Sequence, residues 1–573
     1  MNAAVDLMLL NSLDKVFYDE RPQLFDVAEL NTVAPGDTFS FQAAVFINGE
    51  HAPSDSYRVE TVSGLGGEIK TSRIRHVPSL LPKYADTDGG YLRGDIGMYP
   101  DVLEEADEFI LLHGKWNAIW IAVALPVDHP PGEFGITVKI KSAHAGTPAG
   151  DGAHVGEEAT VENGTLAEKS TKLKVARTAY DEAPFIHTEW FHTDCLAQYY
   201  GVEVFSDEYW RIVENFMAAA ADMGINMLLT PVVTPPLDTV KGGERLTVQL
   251  VDIYERDNGY SFGFDKLGRW IDIARSAGIE YFEIAHLFTQ WGAENAPKII
   301  VKDSTGKGYK KFGWETDAAG DEYAAFLNEF IPALRAYLNE KGAGDKAYYH
   351  ISDEPGSGQI EQYKRARAVA APLLEGCKVF DALSDPEFYE QGIVDIPIIA
   401  IDHYESFESL MLKERWVYYC CGQSTDVANR FFALPSARNR ILGVQLYIHD
   451  ITGFLQWGFN FYNSCLSKRP INPYETTDAD MALPSGDSFI VYPGEGGHAV
   501  KSMRYMVFKE AMSDYHALKR LERLAGKDYV VDLISRHAGC GITFKKYPRS
   551  GGSGAEFLIK LKAAVLDAID NNH

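Results

Sequence analysis

The chain has 573 residues, of which 46% are hydrophobic and 12% aromatic, so it has ample material for two or three domains with large cores. Its 54 basic and 81 acidic residues leave a formal charge of -27, which disfavours binding to a nucleic-acid backbone or to an anionic membrane surface. No stretch approaches the roughly 20 apolar residues of a membrane helix. The N-terminus lacks the pattern of a signal peptide, so a cytoplasmic location is the default expectation.

The first 180 residues show the texture of an all-β region. Segments 39–47, 115–127 and 134–142 are rich in β-branched and aromatic residues and are separated by Gly, Pro and Asp turns. These patterns predict a β-sandwich over residues 1–180. A polar stretch rich in Gly, Ala and Glu, from 143 to 170, is typical of a long loop between two of its strands.

Beyond residue 180, short apolar strands alternate with amphipathic helices, which is typical of parallel βα units. The predicted strands cover 184–192, 225–233, 279–288, 347–354, 377–383, 396–404, 415–422 and 442–450. The predicted helices between them include 207–224, 266–278, 321–342 and 359–376. Eight strands with crossover helices predict a (β/α)8 TIM-type barrel over residues 181–470.

The last hundred residues contain one more strand pattern, at 488–494, and a long helical pattern at 503–526. We interpret residues 471–573 as a C-terminal strand and helix extension packed on the barrel. The six cysteines contain no CxxC pair, and we interpret them as reduced thiols.

The segment AYYHISDEPG, from 347 to 356, is the most informative part of the sequence. An apolar strand ends there in two adjacent carboxylates, Asp353 and Glu354, and Pro355 and Gly356 then stop the strand. In a barrel of this kind catalytic side chains lie at the carboxyl ends of the strands. The other predicted strand ends carry mainly carboxylates and aromatic rings, a combination that suits a sugar.

Adjacent carboxylates restrict the chemistry of the predicted site. The usual pair in a retaining or inverting glycosidase lies about 5 to 9.5 Å apart on opposite sides of the scissile bond, which neighbouring residues cannot do. Hydrolysis assisted by a 2-acetamido group of the substrate removes the need for a second, opposed carboxylate. On this hypothesis Asp353 holds the acetamide N–H and Glu354 is the general acid and base.

Several segments together resemble a known family. They are HISDEP on the fourth strand, WFHTDC at 190–195, GFLQWGFNFY at 453–462, and SFIVYPG followed by MRYMVFKEAM near the C-terminus. This ordered set is similar to glycoside hydrolase family 123, the β-N-acetylgalactosaminidases. The resemblance implies a retaining exo-acting enzyme that releases terminal β-linked N-acetylgalactosamine by the acetamide-assisted route.

The resemblance also implies a tyrosine that binds the acetamide carbonyl, and Tyr404 in IDHYES is the candidate. Trp457, in LQWGFN, is the candidate for stacking under the sugar ring. Further sugar contacts are predicted from position alone, at Trp190, His192, Trp291 and Tyr447.

Rival hypotheses remain open at this stage. Histidines lie near several strand ends, but no HxH after the first strand and no HExxH occurs, so we predict neither a metal nor a cofactor. Family 20 hexosaminidases share the adjacent Asp-Glu pair, which leaves a preference for N-acetylglucosamine possible. A non-catalytic carbohydrate-binding barrel is a further alternative, and the sequence leaves the aglycone and any assembly into homo-oligomers undetermined.

Overall fold

The structure is a computed structural model that describes residues 5–23, 31–48, 56–143, 164–549 and 551–572. Most of the loop predicted over 143–170 lies outside these ranges. The N-terminal strands are β1 (Val5–Asn11), β2 (Thr32–Val33), β3 (Thr38–Ile47), β4 (Tyr57–Ser63), β5 (Glu68–Ser79), β6 (Gly97–Glu105), β7 (Trp116–Ala124), β8 (Gly132–Ser142) and β9 (Thr165–Val175). They form a five-stranded sheet, β1-β3-β7-β5-β6, and a four-stranded sheet, β2-β9-β8-β4.

The five-stranded sheet is buried on both faces. In β1, Leu7 and Leu9 pack into the apolar layer between the two N-terminal sheets, whereas Met8 and Leu10 pack into the main core that continues through the barrel. This alternation follows from the two-residue period of a strand, which sends successive side chains to opposite faces. The predicted sandwich therefore lies directly on the rest of the protein.

The remaining strands, in chain order, are β10 (Ile186–Glu189), β11 (Met227–Thr230), β12 (Asp252–Arg256), β13 (Gly259–Gly263), β14 (Tyr281–Ile284), β15 (Ile299–Lys302), β16 (Gly308–Phe312), β17 (Ala347–Tyr349), β18 (Lys378–Leu383), β19 (Ile396–Ala400), β20 (Trp416–Tyr418), β21 (Gly453–Gln456), β22 (Val491–Pro493) and β23 (Ala499–Lys501). Eight of them close into a parallel barrel in the order β10-β11-β14-β17-β18-β19-β20-β21. The predicted barrel is confirmed.

Two hairpins extend the loops after the second and third barrel strands. Strands β12 and β13 follow β11, β15 and β16 follow β14, and the four form one sheet in the order β13-β12-β15-β16. Because they belong to βα loops, they lie on the carboxyl side of the barrel, where a TIM barrel has its site.

The helices are α1 (Thr193–Tyr200), α2 (Asp207–Asp222), α3 (Asp265–Ser276), α4 (Asp321–Glu340), α5 (Ile360–Ala370), α6 (Glu387–Glu390), α7 (Ala437–Ile448), α8 (Met503–Ala525), α9 (Lys527–Ala538) and α10 (Gly551–Asn572). None of the helices in the described ranges is both long and apolar enough to cross a membrane. All six cysteines are free.

The prediction of a strand at 442–450 is wrong. These residues belong largely to α7, and the eighth barrel strand is β21, which begins at Gly453. Residues 437–447 of α7 are all buried, so the helix has no face exposed to solvent. Without an exposed polar face, the sequence lacks the helical period, and periodicity cannot distinguish a short buried helix from a buried strand. Gly443 permits this burial, because a Cβ there would collide with the carbonyl oxygen of Ala511 in α8.

A buried ion pair joins the sandwich to the C-terminal region. The guanidinium of Arg504, in α8, contacts both carboxylate oxygens of Asp101, in β6, at 2.8 Å. The hydroxyl of Tyr492 donates to the same carboxylate at 2.6 Å. Every charge in this cluster is paired, which is the condition for tolerating it in the interior.

Candidate active site

The acidic pair lies just beyond the fourth barrel strand. Strand β17 ends at Tyr349, and Asp353 is 3% exposed whereas Glu354 is half-buried. Glu354 has φ of 42°, in the left-handed region that costs free energy for a residue other than glycine. Such strain persists only where surrounding contacts enforce it, and these contacts come from the neighbouring strand ends.

The loop after the third strand holds Asp353. The side-chain amide of Gln290 donates to Asp353 Oδ2 at 2.7 Å, and its carbonyl oxygen accepts the backbone N–H of Asp238. The backbone N–H of Trp291 donates to the carbonyl oxygen of Asp353 at 2.9 Å. Both the carboxylate and the backbone of Asp353 are therefore fixed from the same side.

The end of the seventh strand holds Glu354. The hydroxyl of Tyr418 donates to Glu354 Oε1 at 2.7 Å, and the thiol of Cys420 lies 3.9 Å from the same oxygen. Asp402, beyond the sixth strand, adds a negative charge near Glu354. The two carboxylates of the pair thus have separate partners on opposite sides.

The environment of the pair raises the pKa of both carboxyl groups. Burial, and then the charge of Glu354, raise the pKa of Asp353 well above its usual value. Burial also raises the pKa of Glu354, the hydrogen bond from Tyr418 lowers it, and the charge of Asp402 raises it. Neighbouring buried carboxyl groups disfavour each other's ionisation, and the raised pKa values favour a proton on the pair, as a general acid needs.

A buried polar chain lies beneath the pair. His350 Nε2 lies 2.6 Å from Glu283 Oε1, and its Nδ1 lies 3.0 Å from Asp381 Oδ1. Burial disfavours the charged imidazole, but the hydrogen bonds to Asp381 and Glu283 outweigh it and raise the pKa of His350 to about 9. Asp381 also accepts the backbone N–H of Ser352 at 3.3 Å, which fixes the residue before Asp353.

Two of the predicted sugar contacts are buried beneath the site. Trp190 is 3% exposed and donates its indole N–H to Glu283 Oε1 at 2.7 Å. His192 is 2% exposed, and its Nε2 lies 2.9 Å from the carbonyl oxygen of Trp457. Their polar atoms are bonded to protein, so these residues support the site and present no open face to a ligand.

The other two tryptophans have accessible faces. Trp291 is 43% exposed beside Asp353. Trp457 directly follows β21, is half-buried, and donates its indole N–H to Asp487 Oδ2 at 2.9 Å. Asp487 is buried and holds the indole in one orientation. Both rings remain predicted sugar contacts.

Tyr447 does not lie at the strand end on which its prediction as a sugar contact depends. Tyr447 lies in α7, and its ring packs under the ammonium group of Lys527, 4.0 Å from the ring centroid. It was placed at a strand end only because the eighth strand was assigned to 442–450.

Tyr404 also has partners other than the acidic pair. Its hydroxyl accepts a hydrogen bond from Arg415 at 3.0 Å, and its ring packs against His449 and Phe544. The tyrosine that contacts Glu354 is Tyr418, which the sequence analysis missed. The segment VYYCC offers two consecutive tyrosines on opposite faces of a strand, and their order alone does not show which one faces the mouth.

A loop of the N-terminal region reaches segments that follow the seventh and the eighth barrel strands. The hydroxyl of Tyr91 donates to the carbonyl oxygen of Ser424 at 2.7 Å, and Asp88 pairs with Arg438 at 2.9 Å. Tyr84 donates to the carbonyl oxygen of Ala482 at 3.1 Å and neighbours Cys421. One wall of the mouth therefore comes from the N-terminal region, which no local pattern indicated.

A closed parallel barrel whose fourth strand leads into two adjacent carboxyl groups with raised pKa values, with aromatic rings around the rim, defines a barrel hydrolase of the glycosidase class. In the part of the chain that is described, no three His, Cys, Asp or Glu side chains are arranged to hold a metal ion.

Comparison with known families makes the assignment specific. A family model described as the catalytic domain of glycoside hydrolase 123 matches residues 190–521, more than half of the chain. The chain belongs to glycoside hydrolase family 123, as its sequence motifs predicted.

Solved structures agree on the fold. A family 123 glycoside hydrolase from Clostridium perfringens, studied for glycolipid glycan hydrolysis, matches with a TM-score of 0.70 and 13% identity over 99% of this chain and 98% of its own. At that identity the likeness establishes a shared fold. An amylomaltase from Corynebacterium glutamicum aligns over 74% of this chain and 72% of its own at 10% identity, but its TM-score of 0.19 carries no argument. A search of curated proteins finds no significant match.

Proposed function

We propose that this glycoside hydrolase is a retaining exo-β-N-acetylgalactosaminidase that uses the acetamide group of its substrate as the nucleophile. The observation that carries the proposal is the arrangement of the pair. Asp353 and Glu354 are adjacent, so they cannot lie on opposite sides of one scissile bond, and each is held by its own partner, Gln290 or Tyr418.

The proposed first step forms a cyclic intermediate. The acetamide oxygen attacks the anomeric carbon, the glycosidic bond breaks, and Glu354 gives its proton to the departing oxygen. Asp353 accepts the acetamide N–H and balances the positive charge of the oxazolinium. Burial raises the pKa of Glu354, which favours the protonated form that this step needs.

The second step restores the enzyme. Glu354, now a carboxylate, removes a proton from water as the water attacks the anomeric carbon, and the acetamide oxygen leaves. Two displacements at one carbon give net retention of configuration. Tyr418 donates its single hydroxyl hydrogen to Glu354 and so stabilises that carboxylate, and Tyr404 remains the candidate donor to the acetamide carbonyl.

The preference for N-acetylgalactosamine is supported by family membership and by the ordered motifs, and the relative from Clostridium perfringens is described as acting on glycolipid glycans. N-acetylglucosamine is the competing sugar, because the acetamide mechanism is the same for both.

A comparison of substrates and an inhibitor tests the proposal. Aryl β-glycosides of N-acetylgalactosamine, N-acetylglucosamine and galactose should be hydrolysed in that order, with galactose essentially inert because it lacks the nucleophile. A thiazoline derived from N-acetylgalactosamine should inhibit competitively and bind more tightly than the free sugar, since it resembles the intermediate. Cleavage of the galactoside, or indifference to the thiazoline, would exclude the acetamide route.

Tyr418→Phe should reduce kcat/KM and move its pH profile. A hydrogen bond to a charged group contributes about 1.5 to 3 kcal/mol, so the expected loss is about 10- to 150-fold. Tyr418 lowers the pKa of Glu354 by stabilising the carboxylate, so its removal should raise that pKa. Activity that needs protonated Glu354 falls as pH rises through this pKa, and the basic limb should therefore shift to higher pH.

Tyr404→Phe is the matched control for this measurement. It removes a hydroxyl bonded to Arg415 and should leave the basic limb in place. A shift of the basic limb in Tyr404→Phe as large as that in Tyr418→Phe would contradict the role of Tyr418.

A further inference from the structure

Asp238, in the loop after the second barrel strand, is a carboxylate that the proposed mechanism does not use. Its Oδ2 accepts the backbone N–H of Leu466 at 3.0 Å, and its carbonyl oxygen accepts the hydroxyl of Ser467 at 2.7 Å. Its φ is 39°, so the backbone is held in the left-handed region, as it is at Glu354. The loop after β21 thus fixes both the carboxylate and the backbone of Asp238.

The second carboxylate oxygen of Asp238, Oδ1, makes no hydrogen bond to any residue that the structure describes. It is not among the unpartnered polar atoms that are sealed from solvent, so a ligand can reach it. A carboxylate that is partly buried, ordered and open on one oxygen is suited to accept a hydrogen bond from a ligand donor.

The position of Asp238 relates it directly to the acidic pair. One side chain, the amide of Gln290, bridges the backbone N–H of Asp238 and Asp353 Oδ2. Around the barrel the order is Asp238 after the second strand, Gln290 after the third, and Asp353 and Glu354 after the fourth. The wall therefore continues from Glu354 through Asp353 to Asp238.

On its other side Asp238 faces the loops near the eighth strand. It lies close enough to Asp487 for their charges to interact, and Asp487 holds the indole of Trp457. Asp238 is thus placed between the carboxylate assigned to the acetamide and the ring assigned to stacking.

The order of groups along the wall matches the order of atoms around a pyranose. With the glycosidic oxygen at C1 against Glu354 and the acetamide at C2 against Asp353, the next positions along the ring, C3 and C4, lie toward Gln290 and Asp238. We propose that Asp238 accepts a hydrogen bond from a hydroxyl on the C3–C4 edge of the sugar and so contributes to sugar specificity. This inference rests on the proposed function, because it takes the placement of C1 and C2 from that mechanism.

The test combines one substitution in the protein with the removal of single hydroxyl groups from the substrate, and it measures whether the two effects on kcat/KM are independent. The protein and Asp238→Asn are assayed on the aryl β-glycoside of N-acetylgalactosamine and on its 3-deoxy, 4-deoxy and 6-deoxy analogues. The variant should lose about 10- to 100-fold in kcat/KM on the parent, since the accepting oxygen that faces the ligand is replaced by an N–H donor. On the analogue that lacks the contacted 3- or 4-hydroxyl, the two proteins should agree within about 3-fold, because the interaction is already absent.

Other outcomes overturn the inference. An equal loss on all four substrates means that Asp238 contacts neither hydroxyl, and coupling to the 6-deoxy analogue alone places it on a different edge. Suppose that the unaltered protein hydrolyses the parent and is inhibited by the thiazoline, but the effect of Asp238→Asn is the same on the parent and on the deoxy analogues. Then only this inference fails. If the parent glycoside is not hydrolysed at all, the proposed function fails and the inference fails with it.

Two controls separate specificity from folding. Asp480→Asn removes an exposed carboxylate that pairs with Arg469 in the loop that follows β21, and it should leave all four values unchanged. Asp238→Asn keeps an oxygen for the Leu466 N–H, and its thermal unfolding should match that of the unaltered protein. If turnover is too slow to measure, the same comparison can be made from binding. The quantities are then the inhibition constants of free N-acetylgalactosamine and of its 3-deoxy and 4-deoxy forms for the two proteins.

Discussion

Glu354→Gln should reduce hydrolysis of β-glycosides with poor leaving groups by about 10²- to 10⁴-fold, the range that general acid catalysis provides. Activated aryl glycosides should lose far less in the first step, because their leaving groups depart without a proton. The neutral amide fits the same space and can still accept the hydroxyl of Tyr418. The measurement is kcat/KM for a series of leaving groups, whose dependence on leaving-group pKa should become much steeper in the variant.

The pH profile provides an independent check on this variant. The raised pKa of Glu354 places the loss of activity in the protein on the basic side, where the acid is deprotonated. Glu354→Gln should lack that limb on activated substrates. Glu405→Gln, at an exposed carboxylate in the turn after β19, is the control and should behave as the unaltered protein. Equal losses on good and poor leaving groups would contradict the role of Glu354.

Asp353→Asn should lower kcat by about 10²- to 10³-fold, with a much smaller change in KM. The charge that Asp353 balances develops as the oxazolinium forms, so its removal affects the transition state more than the bound substrate. Affinity for the thiazoline should fall in parallel with kcat, because that inhibitor resembles the charged intermediate. The measurements are steady-state kinetics and inhibition constants for the same variant.

Gln290→Ala is a useful companion to Asp353→Asn. It removes the donor to Asp353 Oδ2 while the carboxylate stays in place. It should reduce kcat by less than Asp353→Asn, since the charge is retained but its orientation is loosened. A pure increase in KM for Asp353→Asn would show that the residue only binds substrate.

The barrel was predictable because seven of the predicted strand segments overlap barrel strands, and the first four strands are followed by helices whose apolar residues follow the helical period. The eighth strand was misassigned because α7 is buried all round, and burial removes the polar face by which a helix is identified. The hairpins β12–β13 and β15–β16 were not predicted, because they are insertions in βα loops and not parts of the alternating pattern.

The acidic pair was predictable because one short segment contains an apolar strand pattern, the two carboxylates, and the proline and glycine that end the strand. Tyr418 was not, since its role depends on which of two consecutive tyrosines faces Glu354. Trp190 and His192 follow the first strand as a sugar contact would, yet their polar atoms are occupied by Glu283 and by the Trp457 carbonyl. Position along a strand does not show whether a side chain is already engaged.

The sheet that is buried on both faces has a consequence for protein engineering. Excising the N-terminal region to obtain a minimal barrel would remove the side chains of Met8, Tyr99, Trp116 and Trp120 and expose to water the apolar barrel surface that they cover. It would also leave the buried charge of Arg504 without Asp101. The two parts are therefore inseparable, and the sandwich cannot be exchanged for another as an interchangeable accessory module could.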